Sequence, residues 1–358
     1  MSEIIALLYS IPVVGLVFEF VGYIIAVLPV IAPITYTAAV PIAFAGLCGV
    51  MCERSGVVNI GIEGTMLVAA FVGWTAGVFL LPVLGSTPGP LFGATPTLLV
   101  ALVLAVLSGI VVASLHAWLS ISVRADQIIS GTIINIAAFG ITGYLNTLLA
   151  KSSPTGAGQF TAWTPPEFLT TLPFVGWLFE TVLAQGPLTI SLLVIMIGFQ
   201  ILLFRSRWGL RSRAVGEHPR AAETVGIDVI RLRYRNVLAG GLLAGLGGAF
   251  LSMELSASFQ QGMTQGRGFI GLAAMIVGRW TPLGAFGAAL LFASSVGLSQ
   301  SIKIAPPSGE LGSILALLPG QFFDALPYLV TIVVLAGVVG RSIPPAADGQ
   351  PYEREAAT

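Results

Sequence analysis

Apolar stretches of about twenty residues follow one another along nearly the whole chain, separated by short breaks rich in glycine, proline or polar residues. A helix needs about twenty residues to cross a hydrocarbon core of roughly 30 Å, and lipid offers no partner for an unpaired backbone group. A chain patterned in this way must fold as a bundle of membrane-spanning helices. The shorter alternating pattern of an outer-membrane barrel does not describe it, so the fold class is all-α, integral to the membrane and polytopic. Composition agrees: 9% of residues are charged and the mean hydropathy is +0.94, against about 25% charged in soluble domains. A formal net charge of zero leaves no footprint for nucleic acid, and the lipid bilayer is the first partner implied.

Hydropathy places about ten transmembrane segments, at 4–28, 30–51, 59–81, 96–121, 127–150, 188–204, 237–257, 268–280, 283–302 and 322–340. Glu19 interrupts the first, and the eighth is short enough to read as a half-helix. The N-terminal ten residues lack the positive region of a secretory signal, so the first apolar run is expected to be retained. The membrane-embedded body is expected to span 1–343. Residues 344–358 have no apolar periodicity and are expected to form a disordered cytoplasmic tail.

A polar island at 205–235 holds eight of the sixteen basic residues: Arg205, Arg207, Arg211, Arg213, Arg220, Arg231, Arg233 and Arg235. Placing it in the cytoplasm and alternating outward puts Arg54, Arg124, Arg279, Arg341 and Arg354 on the same side, leaving only Lys151, Arg267 and Lys303 outside. The positive-inside rule selects this orientation, with both termini cytoplasmic. Within the island, residues 218–231 read as a short amphipathic helix with Pro219 in its first turn. Ala221, Val225 and Val229 fall on one face, widened by Ala222 beside Gly226.

Two glycine-broken entries echo each other: GVVNIGIEGTMLVAAFVGW at 56–74 and GMTQGRGFIGLAAMIVGRW at 262–280. Each leads into an apolar helix ending near a tryptophan, and the alternation runs them in opposite directions, as an inverted repeat requires. Paired broken segments point to a transport site near the midplane. Irregular backbone at that depth must be buried in protein or line a water-filled cavity, so Asn59 and Glu63 are candidates for a substrate path. Thr132 and Asn135, i and i+3 on one helix, and Glu254 join them as path candidates, with His116 and Asn146 as further polar residues within spans. Such groups also serve as interhelical hydrogen bonds worth about 0.6 kcal/mol each, so a structural role stays open beside the functional one. The glycines of GGLLAGLGGAF (240–250) and GAFGAAL (284–290) predict close helix packing. Cys48 and Cys52 are expected to be packing residues. No catalytic constellation, phosphate-binding loop or metal-ligand spacing is present in the sequence.

The chain resembles the permease subunits of bacterial ABC importers, in the superfamily of branched-chain amino acid and simple-sugar permeases, and is most similar to its nucleoside and simple-sugar branch. The resemblance rests on ERSGVVNIGIEGTML (53–67), AVGEHPRAAETVGIDV (214–229), GRGFIGLAAMIVGRWTP (266–282) and the tail PPAADGQPYE (344–353), and Asp348 stands where an apolar residue is expected. It implies that the island's helix is the coupling helix, meeting the ATPase through Glu217, Pro219, Ala221, Ala222, Glu223, Gly226 and Ile227. It also implies a second homologous permease subunit, a tandem cytoplasmic ATPase that binds ATP and Mg, and an external substrate-binding lipoprotein, with no cofactor in this chain. The expected localisation is the bacterial plasma membrane. The expected activity is non-catalytic passage of nucleosides. The alternatives are a simple-sugar permease and, from another class, a proton-coupled transporter using Glu63 and Glu254.

Overall fold

The computed structural model describes residues 12–151, 156–173, 175–334, 336 and 342–353. Arg341, Arg354 and the start of the first expected span lie outside the described residues. The described elements are helices α1 (Pro12–Glu53), α2 (Ile62–Leu84), α3 (Pro96–Ala117), α4 (Gln127–Ala150), α5 (Glu167–Thr170), α6 (Gly176–Leu183) and α7 (Pro187–Arg205). They continue with α8 (Arg207–Glu217), α9 (Pro219–Thr224), α10 (Val229–Phe250), α11 (Arg267–Val277), α12 (Pro282–Ile304), α13 (Gly309–Leu315) and α14 (Gly320–Val333). Short π-helical turns, Trp118–Ser122 and Leu251–Leu255, extend α3 and α10.

Among the described residues seven helices are long and apolar enough to cross a membrane, and α13 with α14, bent by 95°, makes an eighth if the pair is one broken span. The expectation of about ten is corrected at two places. The first and second expected spans are one helix, α1, of 42 residues, about 63 Å long at 1.5 Å per residue. Pro29, Pro33 and Pro41 lie inside it without ending it. In lipid a freed carbonyl is better served within the helix than by an open turn. The eighth expected span is the half-helix α11, eleven residues or about 16 Å.

Merging two spans changes the topology. Glu19 and Tyr23, near the start of α1, bond to Leu311 N–H and the Ala305 carbonyl at the far end of α12, while Glu53 closes α1 at the opposite end. Residues 342–353 also lie at the Glu53 end, where Arg233 donates to both Ser55 and Gln350 carbonyls. The first and last described residues therefore lie at opposite ends of the bundle, and the termini themselves, expected on one side, lie outside the described residues.

The inverted repeat is present. It relates α1, α2, α3 and α4 to α10, α11, α12 and α14, and the extensive packing of α1 on α12 has its counterpart in α10 on α3. Trp74 of α2 stacks on Phe259 before α11, and Trp280 after α11 donates its indole N–H to Glu53 at the end of α1. Each half also restarts on a Thr-Pro pair, in which Thr95 and Thr281 cap α3 and α12 with their hydroxyls and proline fills the first turn. That duplicated cap was a legible signal of the repeat.

α10 is the central helix. Its glycines let neighbours touch backbone to backbone: a Cβ at Gly248 would lie 2.2 Å from the Met66 carbonyl oxygen, and one at Gly245 2.9 Å from Val106 Cα. In 284–290 Gly284 packs against the Gly278 backbone, where a Cβ would lie 2.2 Å from the carbonyl oxygen, and Ala285, Ala288 and Ala289 are buried, whereas Gly287 faces open space. Cys48 and Cys52 are free thiols buried in the core.

Candidate functional site

The two breaks meet inside the bundle, and Glu63, His116 and Asn135 among the polar residues expected there hold them. Between α1 and α2 the chain leaves helical geometry at 54–61, exposing backbone groups that lipid cannot satisfy. Side chains from α3 and α4 supply the partners. Gln127 accepts from Val58 N–H at 2.7 Å, and His116 Nε2 donates to the Val58 carbonyl at 2.9 Å while Nδ1 meets the Ser130 hydroxyl at 3.1 Å. Asn135 donates to the Ile60 carbonyl at 3.0 Å and accepts from Gly64 N–H at 2.7 Å. Gly131 and Gly61 let α4 approach this closely.

Glu63 secures the second break. Its two carboxylate oxygens accept from Gly266 and Gly268 N–H, each at 2.7 Å, so it caps the half-helix α11 from across the repeat. An anion at a helix N-terminus is favoured by the dipole and by the unpaired N–H groups there. Gly266 sits at φ +77, and a Cβ on Gly268 would meet Glu63 Cα at 2.7 Å, so the sequence needs glycine at both positions. Glu63→Ala leaves two N–H groups without their acceptor and is expected to lower stability by about 1–3 kcal/mol, read as earlier thermal unfolding in detergent. Unchanged unfolding would show that the cap contributes nothing.

Asn59 is buried beside Cys52, with its Nδ2 3.8 Å from the thiol sulfur and its Oδ1 without a hydrogen-bond partner among the described residues. Thr132 does not join Asn135: its hydroxyl turns to its own helix at the Ile128 carbonyl, on the exposed side of α4. Glu254 lies apart, at the far end of α10, where it caps α7 by accepting from Leu188 N–H, Thr189 N–H and the Thr189 hydroxyl at 2.7, 3.1 and 2.5 Å. It borders a cavity of about 340 Å³ shared with Thr37, Gln159 and Gln185.

At the Glu53 end the expected amphipathic helix is shorter than its pattern. α9 stops at Thr224, and Gly226 at φ +82 closes it, with Ile227 N–H on the Ala222 carbonyl and Gly226 N–H on the Glu223 carbonyl, a left-handed glycine stop. Asp228 then caps α10 through Arg231 N–H. The break turns Ala222 and Val229 inward and leaves Ala221, Val225 and Gly226 exposed, with Val225 74% accessible. Ala222, expected at the partner surface, is therefore an inward contact.

What Ala222 meets is the segment expected to be disordered. Residues 342–353 run across the base of α8, α9 and α10 without regular structure. Tyr352 is buried in a cluster with Val215, Ala222, Val229 and Leu232, and its hydroxyl bonds to Glu223. Ala347 N–H bonds to the Gly216 carbonyl at 2.8 Å, and Ala346 N–H to Glu217 at 3.2 Å. Burial raises the Asp348 carboxyl to about 6, against the opposing pull of its hydrogen bond with Glu53 and of Arg233 nearby. Hydropathy misses this strap because it is anchored by one aromatic ring and by backbone hydrogen bonds, neither of which has a period. A cavity of about 740 Å³ lies between it and α9, bordered by Glu217, Pro219 and Ala221.

Comparison with known proteins agrees with the architecture. Residues 31–335 match the family described as branched-chain amino acid transport system / permease component. Among curated proteins, the chain is 37% identical to the guanosine ABC transporter permease protein NupQ of Bacillus subtilis, over 92% of this chain and 98% of that protein. It is 36% identical to the nucleoside ABC transporter permease protein NupC of Lactococcus lactis, over 87% and 93%. The putative glucose ABC transporter permease protein TsgC13 of Haloferax volcanii is 34% identical over 90% and 96%. No solved structure matches significantly. With seven or eight crossings, paired broken helices and a match over most of its length, the chain belongs to the family of permease components of branched-chain amino acid transport systems.

Proposed function

We propose that this permease carries nucleosides inward across the bacterial plasma membrane, as one of two homologous transmembrane subunits of an ABC importer. The observation that carries the reading is the 37% identity, over 92% of the chain, to a guanosine permease. Similarity at 27% to a second guanosine permease protein of the same Bacillus, NupP, supports a paired subunit. The arginine-rich Glu53 end faces the cytoplasm by the positive-inside rule, so α9 and the strap present the surface for a tandem ATPase that holds ATP and Mg. Of the exposed coupling residues, Ala221 and Gly226 offer a small surface for close approach, with Glu217, Pro219, Glu223 and Ile227 supporting it. An external binding lipoprotein delivers the solute to the opposite end.

A simple-sugar permease is the second reading, favoured by the glucose relative at 34%. The proton-coupled reading is weaker on chemistry, because the carboxylates of Glu63 and Glu254 are both committed to helix N-termini. Asn59 and Asn135 remain proposed path residues, reached only if the breaks rearrange, and Thr132 remains one on the exposed side of α4.

The test is uptake of labelled guanosine into liposomes holding the co-purified complex. Uptake is expected to require ATP on the ATPase side, to survive a protonophore and to exceed glucose uptake at least tenfold. Uptake without ATP that stops with a protonophore overturns the importer reading, and ATP-driven glucose uptake in place of guanosine overturns the solute.

A further inference from the structure

The repeat is broken in one place. In the first half, α4 is clamped onto α2 by the Gly61–Gly131 approach and the Asn135 bonds to Ile60 and Gly64. In the second half the counterpart α14 rests on α12 and stands away from α11. The gap is a cavity of about 690 Å³, backed by α1 and lined on its polar side by Gln265, Arg267, Ser299, Gln300, Asp324 and Tyr328. It runs from the N-terminus of α11, at mid-height, towards the outer ends of α12 and α14. At that end Lys303 forms an ion pair with Asp324.

The lining is polar where the rest of the flank is hydrocarbon. Gln265, Gln300 and Tyr328 are exposed, and their side chains make no hydrogen bond with the described residues. Amides and a phenol at membrane depth are unfavourable against lipid and belong to a water-filled space. The charges nearby are committed: Arg267 donates to the Met263 carbonyl, Glu63 caps α11, and Asp324 has Lys303. What remains on offer is a set of neutral donors and acceptors with one aromatic ring.

We infer that this gap is the outer vestibule in which the solute is first held, and that Gln265, Gln300 and Tyr328 contact it there. The chemistry fits an uncharged solute rich in hydrogen-bonding groups and carrying a flat face, such as a nucleoside, whose hydroxyls and base edge suit the amides and whose base suits the phenol ring. The solute class rests on the function proposed above, whereas the vestibule rests on the broken repeat.

Cys48 and Cys52 are buried, which gives a quiet background for thiol labelling. In the complete transporter in cells, Gln300→Cys and Ser299→Cys are expected to react with a membrane-impermeant thiol reagent added outside, and saturating guanosine is expected to slow the reaction at least fivefold. A thiol that labels only after denaturation means that the face is covered by protein or lipid and overturns the inference. So does labelling indifferent to guanosine in a variant that still imports it. If the unmodified transporter imports glucose and not guanosine, the solute reading has failed, and glucose becomes the protecting solute in the same assay.

Discussion

Arg233→Ala is expected to lower the stability of the permease by about 3–5 kcal/mol, because two carbonyls lose a buried, charged donor worth about 1.5–3 kcal/mol to each. Arg233 is 1% exposed, and the other seven arginines of the 205–235 island are not buried. Its Nε donates to the Ser55 carbonyl at 3.0 Å, its Nη1 to the Gln350 carbonyl at 2.9 Å, and its guanidinium faces the Tyr352 ring. It thus joins the first broken segment, the central helix and the strap, beside the hydrogen-bonded carboxyls of Glu53 and Asp348. Alanine would leave two carbonyls unpaired and remove the positive charge near Asp348. Lysine should not rescue it, since one ammonium cannot bridge both carbonyls in the guanidinium's fixed geometry. Thermal unfolding in detergent, followed by exposure of the buried Cys48 and Cys52 thiols to a reactive dye, gives the readout. Arg235→Ala, two residues along on the exposed side, should change it by less than about 0.5 kcal/mol. Equal effects of the two substitutions would refute the structural role.

Arginine density alone does not separate these roles. The island was legible as a topological marker because its charges are dense against an apolar background, but the count cannot tell Arg233 from Arg235. The span 127–150 was read to the residue because an Asp-Gln start and a Lys end bracket an uninterrupted apolar run. The α1 helix was read as two spans because proline is a helix breaker in water, a rule that lipid suspends by withholding alternative partners. The broken segments were legible from glycines and stranded polar residues. Their partners, such as His116 for Val58 or Glu63 for Gly266, were not, since those pairs are set by how the two halves interlock. The vestibule was hidden for the same reason: Gln265, Gln300 and Tyr328 lie in three separate segments, and each is unremarked in its own.

Gly226→Val is expected to reduce ATP-driven uptake more than tenfold while leaving membrane insertion intact. Nothing in this chain lies within 4 Å of a Cβ at Gly226, so the permease itself has room for a side chain. The constraint is the backbone: at φ +82 a β-branched residue is strained, by about 1–2 kcal/mol. Relieving that strain would open the turn that ends α9, loosening the Ile227 bond to Ala222 that keeps Ala221 and Val225 outward and Ala222 beneath Tyr352. A cost of that size is small against the stability of the bundle and large for a helix of six residues, so coupling should fail before folding does. Gly226→Asn separates the two reasons for glycine, because asparagine tolerates the left-handed conformation. Uptake that survives with asparagine and fails with valine identifies the turn geometry as what matters. Failure of both identifies close approach by the ATPase, and undiminished uptake and stimulated ATP hydrolysis in Gly226→Val would remove α9 from the coupling path.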